Sequence, residues 1–252
     1  MAHFGYNHHD IYYNEFGFGE PLLLLHGNTA SSVMFDEIAA EYAKDRRVIV
    51  MDFLGCGKSD RVESLADDLW YDEAAQAVTL LDEKGYTAVD VIGTSGGAQA
   101  AINIALERPN LVNRLIADSF EGEKAMPGTA EMLAAQREAS KKDAGAKMFY
   151  QMMNGEDWKT VIDADTQAVC AHAKHIGSFF HKPVSELEPE ILFTGSREDA
   201  FFPDGFYDSL FDGLITKIGH GSRHVFEHGG YPAMLTNQDE FLTLSREFFD
   251  AK

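Results

Sequence analysis

Cysteine is scarce in this chain of 252 residues: only Cys56 and Cys170 occur, far apart and outside any metal-ligand spacing. A disulfide framework and a zinc site are therefore not expected, and a reducing cytoplasm is the expected location. Positive charge is scarce as well. Lysine and arginine number 21 against 41 aspartates and glutamates, a formal net charge of −20. Such a surface repels phosphate backbones and anionic bilayers, so neither nucleic acid nor a membrane is an expected partner. Long apolar runs are missing too, and the opening MAHFGYNHHD has neither the basic nor the apolar region of a secretory signal. These absences leave a soluble, unprocessed protein that handles small molecules, long enough to form one sizeable domain.

The pattern along the chain is informative. Short apolar runs bounded by turn residues, over 11–16, 22–25, 47–51, 89–94, 114–117, 191–194 and 223–227, read as strands. Helical patterns fill 32–43, 67–84, 96–108 and 232–250, the last opened by Pro232, whose missing N–H is not needed there. This alternation predicts an α/β fold, a mostly parallel sheet flanked by helices. The GFGEP turn at 17–21 suggests an antiparallel start. The alternation stops after Ala117 and resumes at Ile191. Residues 121–188 read as helices without strands, a helical cap inserted into a core made of 1–120 and 189–252. The cap holds five of nine methionines, with Trp158, Phe179 and Phe180. Met148, Met152, Trp158 and Phe179 are the expected substrate-binding side chains, on the strength of their adaptable apolar surface.

The strongest chemical signal is VDVIGTSGGAQ, a β-branched run ending in Gly93-Thr94-Ser95-Gly96-Gly97 with a helix starting at once. A nucleophile on so tight a turn needs neighbours without Cβ atoms. A second buried strand, LLLL, runs into His26-Gly27-Asn28. Its glycine lets the loop approach Ser95, so the backbone N–H groups of Asn28 and Gly96 can form an oxyanion hole. His26 precedes the nucleophile and is expected to fix the loop. GCGKS resembles the end of a phosphate-binding loop, but that motif needs glycine at position 52, where the chain has Asp52.

Taken in order, LLLLHGN, VIVMDFLGCGKSD, DVIGTSGGAQ, ILFTGSREDAFFP and HGGYPAMLTNQDEF resemble the α/β-hydrolase superfamily over nearly the whole chain. The resemblance implies an eight-stranded, mostly parallel sheet, a cap after the sixth strand, and no metal or organic cofactor. It makes the Asp52 segment a structural turn. It also implies an acid after the strand ILFT, for which Asp199, four residues before Pro203, has the family spacing. Glu198 is the fallback, and Asp118, a position some members use for the acid, is read as a capping or cap-hinge residue.

The family order of nucleophile, acid, base puts the base beyond Asp199, and the Gly-Gly-His-Pro or Gly-His-x-Pro ending of the family, matched to Gly229-Gly230 and Pro232, implies that its histidine falls on Tyr231. A phenol titrates near 10 and imidazole near 6.5, so Tyr231 is a poor base but a competent hydrogen-bond donor. His228, three residues upstream, is the candidate replacement base, with His220 and His224 behind it. His172 and His175 are spaced i, i+3 on a cap helix and are expected to face solvent. The His8-His9-Asp10 cluster reads as a polar turn. The expected function is a serine hydrolase that cleaves an ester or related acyl bond of a small apolar substrate. Two alternatives stay open: a catalytically impaired ligand-binding protein of the same fold, and a variant in which Tyr231 has replaced the triad histidine.

Overall fold

The computed structural model describes residues 2–251. Its first strand, β1 (Ala2–Tyr6), was not among those read from the sequence, because AHFGY is short, glycine-interrupted and only partly apolar. It pairs antiparallel with β2 (His9–Gly17) through a turn in which Asn7 and His8 both have positive φ, 48° and 69°. Two such residues match the right-handed twist of a tight hairpin. The expected polar turn is therefore Asn7-His8, and His9 and Asp10 already belong to the strand.

The chain continues through β3 (Glu20–Leu25), a 3₁₀ turn at Ser32–Phe35, α1 (Asp36–Tyr42), β4 (Arg46–Met51), α2 (Leu69–Lys84), β5 (Val89–Thr94), α3 (Gly96–Glu107) and β6 (Val112–Asp118). Three helices follow, α4 (Thr129–Ser140), α5 (Ala144–Asn154) and α6 (Trp158–His175), and they form the cap. Then come β7 (Glu190–Ser196), α7 (Phe206–Ile218), β8 (Ser222–Phe226), α8 (Ala233–Thr236) and α9 (Gln238–Asp250). The single helix expected over 232–250 is broken at Asn237, whose side-chain amide donates to Ser196 Oγ at 3.0 Å and to the Ala233 carbonyl at 3.2 Å.

The eight strands lie in the order β1-β2-β4-β3-β5-β6-β7-β8, antiparallel at β1–β2 and β2–β4 and parallel thereafter. Helices cover both faces, so strand residues are buried whichever way they point. Leu22 and Leu24 pack with Ile38, Tyr42 and Phe241 from α1 and α9, while Leu23 and Leu25 face the layer of α2, α3 and α7. All four leucines are fully buried, which explains why LLLL shows no alternation. The strand order reverses between β3 and β5. At such a switch point the connections leave in opposite directions and open a crevice at the strands' carboxyl ends. His26-Gly27-Asn28 and Ser95 both lie there.

Candidate active site

Ser95 joins β5 to α3 with φ 56° and ψ −125°, a conformation costing a non-glycine residue about 1–3 kcal/mol. The surroundings hold it. Its N–H donates to the Asp118 carbonyl at 2.8 Å, and its own carbonyl accepts from Ala98 N–H at 2.9 Å. The flanking glycines are sterically required: a Cβ on Gly93 would lie 2.1 Å from the Gly97 carbonyl oxygen, and one on Gly97 2.2 Å from that of Leu25.

The loop after β3 faces this turn. His26 is fully enclosed; its Nδ1–H donates to the Gly27 carbonyl at 2.8 Å and its Nε2 accepts from Phe53 N–H at 3.0 Å. Burial pushes its pKa down, so it stays neutral and fixes the loop. Among the described residues, the backbone N–H groups of Asn28 and Gly96 donate to no turn, loop or side-chain hydrogen bond. Gly96 N–H also opens α3, where the helix dipole favours negative charge.

Tyr231 is the residue brought to Ser95. It lines the same cavity wall as Ser95, and its ring meets Phe201 edge-on at 4.9 Å. The residue lines the cavity and is 37% exposed. Burial, with the nearby carboxyls of Asp199, Asp118 and Glu121, raises the phenol above its ordinary pKa, while the neighbouring Ser95 hydroxyl pulls the other way.

Asp199 is buried just past β7. Its Oδ2 accepts from the Tyr207 hydroxyl at 2.7 Å and its Oδ1 from Phe201 N–H at 2.8 Å. Asp118 is fully buried at the end of β6, and its side chain is no hinge. It accepts from Thr94 and Thr194 hydroxyls at 2.9 and 2.7 Å and from Met234 N–H at 3.3 Å, tying β5, β7 and α8 together. Burial lifts its pKa to about 6 against those hydrogen bonds.

The structure does not bring the candidate replacement base to Ser95. The His228 side chain is 86% exposed and stands 3.5 Å from Glu198, which is itself exposed and accepts from Gly229 N–H. The two glycines after His228 let the loop turn outward. His220 approaches the Pro189 carbonyl and His224 approaches Glu240. Among the described residues none of these three histidines lines the cavity beside Ser95.

That cavity measures about 540 Å³ and is mostly apolar. Of the four expected substrate-binding side chains it takes Phe179 alone. Met148 and Met152 are 70% and 59% exposed. They sit one turn apart on the outer face of α5, whose opposite face turns Gly145, Ala146, Phe149 and Tyr150 inward. Trp158 is buried beneath α5, stacked on Tyr150 at 5.6 Å. Met126 and Met132 line the cavity instead.

His172 also departs from expectation. It is 1% exposed and lies between Trp70 and Phe179, with ring centroids 4.8 and 5.5 Å away. Burial lowers its pKa. Its expected companion His175 is exposed and faces Asp67 at 2.8 Å. Sequence reasoning also missed Trp70, Gln99, Glu121, Arg137 and Phe201 on the cavity wall. Gln99 carried a signal, because a residue four after the nucleophile shares its helix face. The others are assembled from separate elements. Glu121 has its pKa raised to about 7 by burial, against the hydrogen bond of the Gln99 side chain.

A family model described as alpha/beta hydrolase fold matches residues 20–151, just over half of the chain. A 2-hydroxy-6-oxo-6-phenylhexa-2,4-dienoate hydrolase of Comamonas testosteroni is 26% identical over 94% of this chain and 90% of its own length. A 2-hydroxymuconate semialdehyde hydrolase of a Pseudomonas strain is 34% identical over 40% of this chain and 36% of its own. In structure, an esterase from Exiguobacterium antarcticum superposes with a TM-score of 0.78 at 18% identity, over 96% of both chains. Among the described residues no helix is long and apolar enough to cross a membrane.

Proposed function

This chain belongs to the α/β-hydrolase fold family, and on that premise we propose that it is a serine hydrolase of small, largely apolar acyl substrates, with Ser95 as nucleophile and Tyr231 in the place of the triad histidine. The observation that carries the reading is the Ser95 turn, strained and open to a cavity of about 540 Å³, with the Asn28 and Gly96 amides donating to no turn, loop or side-chain hydrogen bond among the described residues. Ser95 Oγ attacks the acyl carbon, and those amides hold the oxygen that becomes negative. Two such donors concentrate their effect on the tetrahedral state, each worth on the order of 10²–10³ in turnover.

The serine proton needs a route. A phenol raised above its ordinary pKa does not accept a proton to keep, but it can pass one on. Ser95 hydroxyl donates to the Tyr231 oxygen while the Tyr231 hydrogen goes to the departing alcohol oxygen, leaving the phenol neutral. Such a relay is slow. Loss of the triad histidine in a well-studied serine protease costs on the order of 10⁶ in turnover.

Aryl-ester kcat/KM for the chain, Tyr231→His and Ser95→Ala tests this. The parent is expected to show slow hydrolysis that Ser95→Ala abolishes, and Tyr231→His to gain about 10³ or more. Equal rates for the parent and Ser95→Ala would end the reading. The alternative of an impaired ligand-binding protein draws on Asp199, both of whose oxygens already accept from Tyr207 and Phe201. It predicts no gain from Tyr231→His.

A further inference from the structure

The cap reaches the floor of the site through buried charge. Asp165 on α6 is 2% exposed and forms an ion pair with Arg137 on α4, itself 7% exposed. The guanidinium also donates to Thr166 Oγ1 at 3.1 Å. Arg137 occupies only Oδ1 of the aspartate. The other oxygen, Oδ2, accepts from Nδ2 of Asn28 at 2.8 Å, and Oδ1 of Asn28 accepts from the indole N–H of Trp70 at 3.1 Å.

This arrangement determines the Asn28 side chain completely. The indole can only donate and the carboxylate can only accept, so the amide has one orientation that satisfies both. A charged pair buried at several kcal/mol per ion is a costly way to fasten a cap that apolar contacts could hold. What the charge adds is direction. Asn28 also carries one of the two backbone N–H groups assigned to the oxyanion, and clamping its side chain at both ends restrains the peptide that carries this donor.

We propose that Asp165, held by Arg137, is a positioning residue that aims the Asn28 amide into the oxyanion hole, so that the hole is complete only when the cap is seated. The inference rests on the serine-hydrolase reading. Displacing a catalytic group by about 1 Å costs on the order of 10² in rate, and a loosened Asn28 falls in that range. Binding of a planar ligand in the cavity needs no such aim.

The test compares two probes by calorimetry. Phenylboronic acid adds Ser95 Oγ to boron and places a boronate oxygen in the hole, whereas acetophenone occupies the same cavity as a planar molecule. Asp165→Ala is expected to weaken phenylboronic acid about 10- to 100-fold while acetophenone stays within about 3-fold. Asp165→Glu keeps the charge on Arg137 and shifts the acceptor by one methylene; a smaller loss confined to the boronic acid is expected. It also carries the test if the alanine variant does not fold. Parallel weakening of both probes, or of neither, in the folded variant overturns the proposal. A parent chain that binds acetophenone but not phenylboronic acid would instead overturn the underlying hydrolase reading, and this inference with it.

Discussion

The Tyr207 hydroxyl donates to Asp199 Oδ2 across 2.7 Å, so a phenol rather than an imidazole engages the buried acid. Burial and the Asp199 carboxylate both drive the Tyr207 phenol well above its ordinary pKa, so it is a hydrogen-bond donor at neutral pH. Tyr207→Phe removes a charge-assisted bond and leaves a buried carboxylate oxygen short of a partner. The expected cost is about 1–3 kcal/mol of stability, read by urea unfolding. An unchanged midpoint would mean that water or another donor replaces the hydroxyl without loss.

Ser95 carries a backbone conformation that favours glycine. Ser95→Gly is expected to stabilise the fold by about 1 kcal/mol, the relief of strain exceeding glycine's added chain entropy. The same variant should lose all labelling by a fluorophosphonate. A destabilised Ser95→Gly would show that the turn is not strained.

Glu121 sets a pH dependence. Its pKa is raised from 4.5 to about 7 by burial, so between those values the folded chain holds a proton that the unfolded chain has released. Its contribution is fully present below the lower value and is lost as pH rises towards the upper one. Glu121→Gln abolishes this, and its thermal midpoint relative to the parent should climb between about pH 5 and about pH 8. A constant difference across that range would place the Glu121 carboxyl at its ordinary pKa.

The cap residues separate stability from binding. Trp158, buried against Tyr150 and Ile162, is expected to cost about 3–5 kcal/mol when cut to alanine. Met148→Ala and Met152→Ala, on the exposed face of α5, should stay within about 0.5 kcal/mol and leave phenylboronic acid affinity unchanged. Weaker binding on either methionine change would mean that α5 rotates when ligand enters.

Much of this protein was legible before folding was considered. The strand LLLL, the Gly-Thr-Ser-Gly-Gly turn and the His-Gly-Asn loop each carry their physics within a few residues, as burial on two faces, steric need for glycine, and close backbone approach. Their order carried the family resemblance, which implied the eight-stranded sheet, and the break in the strand–helix alternation between Ala117 and Ile191 marked the cap. β1 escaped notice because its pattern is short and weak, and it becomes a strand only by pairing with β2. Tyr231 was likewise found by its place after two glycines, and it lines the same cavity as Ser95.

Tertiary structure alone decided which other side chains share the cavity. Equivalent spacing put Met148 and Met152 on a helix face, but only the docking of α5 turned that face outward. His172 and His175 lie one turn apart, and the packing of α6 on Trp70 and Phe179 buried one and left the other in solvent. His228 was within chain reach of the site, but its loop turns away towards Glu198. Asn28 and Asp165 meet although 137 residues separate them. Turn strain and hydrophobic period act between near neighbours, and a sequence displays them directly. A hydrogen bond between distant elements exists only once packing has fixed the distance and angle between its partners.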